Sequence, residues 1–334
     1  MSGFEIPVVL FLFRRKDKIP IILERIAQAA PKKIYLIADG PRDEDEIPAV
    51  LACRRLAEEC ITWRCQIIRN YASKNRGVFS NIGLGARWVL EREECAIFLE
   101  DDNLPEITFF PYCRELIYRY WDDTRILWIC GTNYLQRYEP KDGSDYVFTK
   151  HLMPCGWASW KSKYNRFYDG YLTLMENEKL LLRMKDQYED KRLYEQQLIQ
   201  ARMEKERLLH QQKPTSWDYQ MCFALRANNL YGISPKYNQI QNVGVDQDSV
   251  HGGSRMSDEM TRRFCSIKSY PLIFPLTHPA TVLPDEEYER RVGKIILFPW
   301  RMRLKMKVSL RIKRIFHIPF EASIKELISS RLFH

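Results

Sequence analysis

Apolar runs and helical patterns alternate through residues 1–135 of the chain. Five apolar runs have the length of buried strands: Pro7–Phe13, Lys33–Ala38, Trp63–Arg69, Cys95–Leu99 and Ile126–Cys130. Apolar residues at helical spacing predict helices between them, over Lys18–Ala30, Ile47–Glu59, Val78–Glu91 and Thr108–Asp122. Strands that alternate with helices in this way predict an α/β fold with a mostly parallel sheet and helices on both faces.

A second pattern follows in the middle of the chain. Glu176–Lys213 is rich in Glu, Lys, Arg, Leu and Gln and predicts one or two long helices. A heptad of apolar positions begins at Leu181 but is broken at Lys191 and Glu195. We therefore predict a solvated helical insertion over residues 172–213 rather than a coiled-coil dimer.

The C-terminal tail is basic and its secondary structure is ambiguous. Met302 to Ile312 alternate between apolar and polar residues, which is a strand period, yet Trp300, Leu304, Val308 and Phe316 also fit a helical stripe. No acidic residue occurs between Lys294 and Phe316, and the segment carries eight basic ones: Lys294, Arg301, Arg303, Lys305, Lys307, Arg311, Lys313 and Arg314. The net charge is +9, so the rest of the chain is almost neutral.

Composition narrows the class of protein. The chain has 334 residues, 45% of them hydrophobic and 28% charged, which is typical of a soluble globular protein. No apolar run reaches the roughly 18 residues that a membrane-spanning helix needs. The nine cysteines form no CxxC pair, which indicates reduced thiols in a cytoplasmic protein rather than a zinc site or a disulfide framework.

Acidic and amide side chains follow several of the predicted strands. Asp39 follows the second, Asn70 the third, and Glu100, Asp101 and Asp102 the fourth. Parallel strands end at one edge of a sheet, where ligands of open α/β sheets bind. Three adjacent carboxylates repel one another unless a cation or a hydrogen-bond donor compensates them. Mg²⁺ or Mn²⁺ would suit them, because hard cations take oxygen ligands and complete their shell with substrate phosphates.

Four motifs occur in an order that carries a family resemblance. They are Glu100-Asp101-Asp102, Gly156-Trp157-Ala158-Ser159-Trp160, Ser216-Trp217-Asp218, and Asn242-Val243-Gly244 followed by Ser249-Val250-His251-Gly252. With this order and spacing, residues 5–255 resemble inverting nucleotide-sugar glycosyltransferases of the GT-A (Rossmann-like) fold. The layout looks most like that of N-acetylglucosaminyltransferase I and of bacterial family 2-like enzymes.

The resemblance assigns the acidic triplet to the nucleotide sugar. It implies that Asp102 binds Mn²⁺ or Mg²⁺, that Asp101 contacts the ribose beside Glu100, and that Asp39 contacts the base or the ribose. Two arginines near the same edge, Arg42 and Arg76, are further candidates for nucleotide or phosphate contacts. Solvated arginine side chains without a binding role are the alternative.

Asp218 is the candidate catalytic base. Inversion needs one carboxylate near the acceptor hydroxyl, which takes its proton as the oxygen attacks the anomeric carbon. Retention through a covalent intermediate would need a nucleophile on the opposite face. The alternative is electrostatic, since an aspartate at the start of a helix over residues 218–228 is favourable without any catalytic role.

Two further motifs complete the predicted site. His251 lies in a glycine-flanked loop and is predicted to reach the metal or the diphosphate, with Ser249 nearby. In the transferase I pattern the serine directly precedes the histidine, whereas here a valine separates them. Gly156 and Trp157 are predicted to form an aromatic wall beside the sugar, although Trp157 and Trp160 could equally belong to the core.

The sequence thus predicts a metal-dependent inverting glycosyltransferase, a hexosyl- or N-acetylhexosaminyltransferase. By resemblance it would use a UDP-sugar and act on a glycan or lipid-linked acceptor in surface polysaccharide synthesis. The predicted halves are 1–135 for the nucleotide sugar and 136–275 for acceptor and catalysis. A nucleotidyltransferase is the rival enzyme, and a membrane-associated scaffold on an inactive transferase fold is the non-enzymatic rival.

The basic tail is assigned a second role. Residues 276–334 are predicted to bind an anionic membrane surface through Trp300 and the cations that follow it, which makes the protein cytoplasmic and peripheral on the inner face of the membrane. Nucleic acid is disfavoured, because the apolar partners of these cations are aliphatic rather than stacking aromatics. The remaining alternative is that the apolar side packs on the body of the protein.

Overall fold

The computed structural model describes residues 4–245, 257–265, 267–316 and 318. The strands are β1 Val8–Leu12, β2 Lys33–Ala38, β3 Gln66–Tyr71, β4 Cys95–Glu100, β5 Asn103–Pro105, β6 Ile126–Cys130, β7 Tyr146–Thr149, β8 Trp157–Trp160, β9 Tyr231–Pro235 and β10 Ile240–Asn242. The α-helices are α1 Ile19–Ala29, α2 Ile47–Glu59, α3 Gly85–Leu90, α4 Phe109–Arg119, α5 Lys161–Phe167, α6 Glu178–Met184, α7 Lys191–Leu209, α8 Tyr219–Ala227, α9 Glu259–Phe264, α10 Glu286–Ile296 and α11 Trp300–Ile315.

Eight of the strands form one mixed sheet in the order β3-β2-β1-β4-β8-β6-β9-β7. Strands β1 to β4, β6 and β9 run in one direction, and β8 and β7 run antiparallel to their neighbours. The short strands β5 and β10 pair antiparallel as a separate ribbon. This confirms the predicted α/β fold class with its mostly parallel sheet, and both halves of the chain contribute strands to the same sheet.

Alternate residues of the central strands pack into two hydrophobic cores, one on each face of the sheet. Along β1, Val8 and Leu10 pack in the core with α1, α2 and α4. Val9 and Phe11 pack in the other core, which α3, α5, α8 and α10 cover. Because successive side chains of a strand point to opposite faces, the uninterrupted apolar run of β1 is what burial on both faces requires.

The predicted elements of the first half are present with small shifts. β2 and β6 coincide with the predicted runs, and β3 begins later, at Gln66. The predicted helix over residues 78–91 begins as a π-helical turn at Phe79–Leu84 before α3. Within that turn Gly83 packs directly against the Tyr168 hydroxyl, where a β-carbon would lie 1.8 Å from the oxygen.

The helical insertion is attached to the body rather than fully solvated. Helix α7 is one 19-residue helix. It buries Leu193, Tyr194 and Ala201 in a third hydrophobic cluster, which also includes Phe223 of α8. Helix α7 therefore packs on the body of its own chain.

The tail divides into a packed part and an exposed part. Tyr288 and Val292 of α10 are fully buried, so α10 belongs to the body of the fold. Helix α11 settles the ambiguity of the basic tail in favour of a helix, and none of its residues is buried. No helix in the described part of the chain combines the length and the apolar character needed to span a bilayer.

A buried ionic cluster ties α10 to α8 and β7. Arg226 Nη2 lies 3.6 Å from Glu289 Oε2 and 3.3 Å from His151 Nδ1. His151 Nε2 faces the Glu289 carbonyl at 2.9 Å, an arrangement that fits a neutral imidazole protonated on Nε2. Burial lowers the pKa of His151. Burial alone would raise the pKa of Glu289, but the positive charge of Arg226 and the hydrogen bonds from Thr149 and Lys150 lower it.

Candidate functional site

A cavity of about 540 Å³ lies at the carboxyl ends of β1, β2 and β4. The parts of the chain that line it include the ends of these strands, residues 75–82, helix α7, the segment that leads into α8, and residues 296–298 at the end of α10. Its polar lining includes Arg14, Arg15, Asp39, Arg42, Asn75, Glu100, Asp101, Asp102, Gln196, Gln197, Gln200, Lys213 and Asp218. The sheet edge predicted to collect the polar side chains is thus the floor of a cavity.

The acidic triplet lies at this floor and contacts an arginine. Arg15 Nη1 lies 3.2 Å from Asp101 Oδ1 and 2.6 Å from Asp102 Oδ2. The Phe13 backbone N–H donates to Asp101 Oδ2 at 3.0 Å, and the Asn103 amide donates to Asp102 Oδ1 at 2.6 Å. The compensation that three adjacent carboxylates require therefore comes from the chain itself.

The carboxylates of the triplet nevertheless still repel one another. Burial, followed by the charges of Asp102 and Asp101, raises the pKa of Glu100 well above its usual value, and Asp218 adds to the shift. Burial raises the pKa of Asp101 to about 6 despite the nearby Arg15. The potential at this edge favours an additional cation.

The residues present fit a divalent cation that shares its ligands with a substrate. Among the described residues no group of three His, Cys, Asp or Glu side chains could hold a metal ion alone. Mg²⁺ and Mn²⁺ commonly use one or two protein carboxylates and complete their shell with phosphate oxygens. Asp102 lines the cavity and offers such a carboxylate. Its pairing with Arg15 shows that this position already accepts positive charge.

The Asn242-Val243-Gly244 motif meets the triplet in space. The pairing of β10 with β5 sets Asn242 opposite Asn103, and the Val243 N–H donates to the Asp102 carbonyl at 2.9 Å. A β-carbon on Gly244 would lie 2.4 Å from Asp102 Oδ2, so only glycine fits against this carboxylate. Two of the four sequence motifs therefore converge on one side chain.

Asp218 lines the same cavity, on the segment that leads into α8. It is half-buried and accepts a hydrogen bond from the Ser216 hydroxyl. Its side chain makes no capping hydrogen bond to the helix, although its place at the start of α8 remains electrostatically favourable without any catalytic role. Its charge acts on Glu100 through the cavity.

Asp39 organises a loop. Its carboxylate accepts hydrogen bonds from the backbone N–H groups of Gly40, Arg76 and Gly77 and from the Asn75 amide, at 2.6 to 3.0 Å. These four bonds use the acceptor positions of both oxygens. Asp39 borders the cavity, but its carboxylate serves the residues 74–77 loop rather than standing ready for a nucleotide.

The two predicted arginines differ in position. The Arg76 guanidinium is directed into the protein, where it donates to Asn70 Oδ1 at 3.1 Å and Asn81 Oδ1 at 2.8 Å. Burial lowers the pKa of Arg76, and the residue does not line the cavity, so the direct phosphate contact predicted for it is corrected to a loop contact. Arg42 lines the cavity, and its guanidinium pairs with Glu46.

Trp157 belongs to the core. It is 1% exposed and stacks between Phe98 and Trp128, with ring centroids 4.0 Å away on either side. The prediction that it contacts the sugar is therefore corrected, because the ring has no free face. Gly156 is also absent from the described lining of the cavity. It adopts a left-handed conformation with φ of 62° and donates to Asn103 Oδ1 at 2.8 Å.

Three residues of the predicted motifs remain: Trp217, Ser249 and His251. Trp217 lines the cavity beside Asp218, is 4% exposed and contacts Trp157 at a centroid distance of 5.5 Å. Ser249 and His251 lie outside the described residues, and their predicted contacts remain predictions.

Several residues of the cavity were not predicted as part of a site. Arg15 is the main one, together with Lys213 and the amide side chains of α7, Gln196, Gln197 and Gln200. Gln196 also binds the segment before α11, since its amide donates to the Ile296 carbonyl at 3.1 Å and its carbonyl accepts from the Phe298 N–H at 2.7 Å. The sequence could have placed Arg15 near the binding edge, because it follows a predicted parallel strand, but it could not have placed it beside the triplet.

Comparisons with known proteins bear on the fold. No family model matches the chain, and no curated protein matches it. Among solved structures, it is similar to the mannosyltransferase PcManGT from Pyrobaculum calidifontis in complex with GDP-Man and Mn²⁺, with 11% identity, coverage of 68% of this chain and 70% of that chain, and a TM-score of 0.37. S. aureus TarS (1-349) gives 12% identity, coverage of 71% and 59%, and a TM-score of 0.38.

A UDP-glucose pyrophosphorylase complexed with UDP-glucose gives 9% identity, coverage of 72% of this chain and 94% of that chain, and a TM-score of 0.34. All of these identities and scores are low. The fold assignment rests on the chain's own sheet, in which six strands share one direction and antiparallel β8 lies between β4 and β6. This chain has the predicted α/β fold, with a mostly parallel sheet that helices cover on both faces.

Proposed function

We propose that the protein is a glycosyltransferase that moves a sugar from a nucleotide diphosphate sugar to an acceptor hydroxyl with inversion. The observation that carries the proposal is the meeting of the acidic triplet and Asp218 in one cavity at the carboxyl edge of the sheet. A donor diphosphate and an acceptor hydroxyl need these two kinds of carboxylate in one site, one beside a cation and one facing the alcohol.

In this proposal Asp218 takes the proton of the acceptor hydroxyl as its oxygen bonds to the anomeric carbon. The bond between that carbon and the diphosphate oxygen breaks, and the diphosphate leaves with the electron pair. Of the described carboxylates that line the cavity, Asp218 alone lies outside both the triplet and the Asp39 loop. One carboxylate near the alcohol is what inversion requires, whereas retention requires a nucleophile on the other face.

The charged lining of the cavity supports a diphosphate leaving group. Arg14, Arg15 and Lys213 border it together with the triplet. A divalent cation held by Asp102 would neutralise the diphosphate as a Lewis acid. Asp101 and Glu100 border the same space and are the proposed neighbours of the ribose. On the other side, Gln200 of α7 and the edge of the Trp217 ring border the cavity and are proposed to offer a hydrogen bond and an apolar contact to the sugar ring.

The product separates this function from its enzymatic rival. The protein is incubated with Mn²⁺ and a panel of UDP- and GDP-sugars, and thermal shift first selects the donor that raises the melting temperature. A glycosyltransferase then releases free nucleoside diphosphate, even when water replaces the acceptor. Release of pyrophosphate from a nucleoside triphosphate and a sugar phosphate would instead identify a nucleotidyltransferase, and an absence of any turnover would favour the scaffold.

Removal of the Asp102 carboxylate tests the proposed metal ligand. Asp102→Ala is expected to abolish the increase in UDP affinity that Mn²⁺ produces, because the cation then loses its protein ligand. Isothermal titration with UDP in the presence and absence of Mn²⁺ measures this. Asp123→Ala removes a carboxylate paired with Arg125 away from the cavity and is the matched control. Unchanged Mn²⁺ stimulation in Asp102→Ala would refute the ligand assignment.

We also propose that helix α11 holds the enzyme on the inner face of a membrane, where it meets a lipid-linked acceptor. The helix exposes Trp300, Leu304, Val308 and Ile315 by 47 to 62%. These four fall within one side of the helical wheel, at 100° per residue. Seven cations occur on the same helix without an acidic residue: Arg301, Arg303, Lys305, Lys307, Arg311, Lys313 and Arg314. Anionic lipids of the cytoplasmic leaflet attract such residues by about 1 kcal/mol each.

The position of α11 relative to the cavity supports a membrane-bound acceptor. Ile296 and Phe298 line the cavity, and α11 begins directly afterwards at Trp300. Lys307 of α11 pairs with Glu195 of α7, the helix whose glutamines also line the cavity. The cavity wall and the cationic helix are therefore parts of one connected structure.

Vesicle binding tests the membrane proposal. The protein is expected to co-sediment with vesicles that contain phosphatidylglycerol and to lose this binding with pure phosphatidylcholine or at high salt. The triple variant Trp300→Ser, Leu304→Ser, Val308→Ser is expected to bind at least about tenfold more weakly. Its donor hydrolysis in solution should persist. Equal binding of the wild type and the triple variant would refute the role of α11, as would binding that ignores lipid charge.

A further inference from the structure

Arg15 occupies the place at the acidic triplet where a cation is expected. Its Nη1 contacts Asp102 Oδ2 at 2.6 Å and Asp101 Oδ1 at 3.2 Å. The side chain is 13% exposed, so solvent screens these contacts little. A guanidinium stays charged under all relevant conditions, and it therefore remains a permanent counter-ion of the triplet.

The pairing of strands fixes Arg15 at this position. β1 pairs in parallel with β4, and Phe11 lies opposite Glu100. The chain beyond β1 therefore runs beside the triplet, and the bond from the Phe13 N–H to Asp101 Oδ2 holds it there. The contact is thus set by the register of two central strands rather than by a mobile surface side chain.

Arg15 and a divalent cation compete for the same carboxylate. Asp102 Oδ2 accepts from Arg15, and Asp102 Oδ1 accepts from the Asn103 amide. A metal ion needs direct contact with an oxygen of this group, and two cations at that distance repel each other strongly in a partly buried site. The metal therefore cannot join the free protein at Asp102 unless the guanidinium moves away.

We propose that Arg15 is a built-in counter-ion that keeps divalent metal off Asp102 until a nucleoside diphosphate enters the cavity. The inference rests on the proposed function and identifies Arg15 as a positioning residue for its metal and donor. The diphosphate supplies what the exchange needs: phosphate oxygens complete the metal shell, and they give the guanidinium a bidentate partner in place of Asp102.

Metal binding and nucleotide binding are therefore coupled. Each ligand makes the other bind more tightly by the same factor, because the coupling free energy is reciprocal. The free protein is expected to bind Mn²⁺ weakly, and Mn²⁺ and UDP together tightly. Without Arg15 the triplet loses this counter-charge, so it should then take up Mn²⁺ without any nucleotide.

The experiment measures Mn²⁺ binding without turnover. The melting temperature of the wild type, Arg15→Gln and Arg15→Lys is followed as MnCl₂ is added, alone and with UDP or GDP. Arg69→Gln is the matched control, since it removes an arginine that pairs with Glu58 on an exposed part of the surface. Direct titration of Mn²⁺ by electron paramagnetic resonance gives the affinity independently of unfolding.

In the wild type and in Arg69→Gln, MnCl₂ alone should leave the melting temperature unchanged, and MnCl₂ with nucleotide should raise it. Arg15→Gln should have a lower melting temperature in the absence of ions. It should bind Mn²⁺ alone at least about tenfold more tightly than the wild type, which is a coupling of the usual size. Arg15→Lys, which restores a positive charge, should fall between them.

Two results would overturn the proposal. One is equal Mn²⁺ affinity with and without nucleotide in a wild type that is shown by titration to bind UDP or GDP, which can be measured even if Arg15→Gln does not fold. The other is a folded Arg15→Gln protein that binds Mn²⁺ alone no better than the wild type does. Failure of the proposed function would give a different result. If the wild type binds no nucleotide but Arg15→Gln still gains Mn²⁺ affinity, Arg15 is a counter-ion of the triplet and the protein is not a glycosyltransferase.

Discussion

Asp218→Asn is expected to lower the rate of sugar transfer by about 10² to 10⁴-fold while donor binding persists. Asparagine keeps the shape of the side chain and can still accept the hydrogen bond from Ser216, but it cannot take a proton. The loss should appear in kcat rather than in the affinity for the nucleotide sugar, because the carboxylate acts on the acceptor hydroxyl in the transition state. Acceptor-dependent release of nucleoside diphosphate measures the rate.

A matched control separates this effect from a general loss of structure. Asp123→Asn changes an aspartate that pairs with Arg125 at the surface and does not line the cavity, so it should leave the transfer rate intact. The melting temperature of Asp218→Asn with Mn²⁺ and donor should rise as in the wild type. If Asp218→Asn transferred sugar at a near normal rate, Asp218 would not be the base.

Arg226→Met is expected to lower the free energy of unfolding by about 3 to 5 kcal/mol. Arg226 is 3% exposed and pairs with Glu289 at 3.6 Å. It also donates to the Gln187 carbonyl at 2.8 Å and stacks on the Tyr188 ring at 3.9 Å. Methionine fills much of the space but leaves the Glu289 carboxylate buried without its cation, and that uncompensated charge causes the loss. Urea unfolding measures the change.

A second variant tests this explanation. In Arg226→Met combined with Glu289→Gln the buried charge is gone, so part of the lost stability should return. Arg192→Met is the control for loss of an arginine pair, since Arg192 binds Asp190 on the exposed surface and should cost less than about 1 kcal/mol. A loss of less than about 1 kcal/mol in Arg226→Met would show that the cluster does not stabilise the fold.

The first half of the fold is predictable from sequence for a physical reason. Four of its strands are buried on both faces, namely β1, β2, β4 and β6. Strands buried in this way have continuous apolar runs, which can be recognised in the sequence. β7 and β8 were not predicted, because each has four residues and depends on partners that are distant in the chain. Local patterns cannot specify such pairings.

The residues of the candidate site were also predicted only in part. Asp102 and Asp218 were predicted from motifs, and the structure brings both to one cavity. Arg15 was missed because its place beside the triplet follows from the pairing of β1 with β4, which no local pattern contains. Trp157 was misplaced for a related reason: a tryptophan beside a glycine fits a ligand wall and a packed core equally well, and only the stack with Phe98 and Trp128 decides between them.

The strand order also dictates events during biosynthesis. β6 leaves the ribosome before β8, yet it reaches β4 only through β8, which lies between them in the sheet. Its other neighbour, β9, is synthesised later still. The wholly apolar β6 must therefore wait on the nascent chain with both of its edges unpaired, at a stage when the first four strands can already associate. Translation speed between these segments thus sets how long an aggregation-prone strand stays within reach of chaperones.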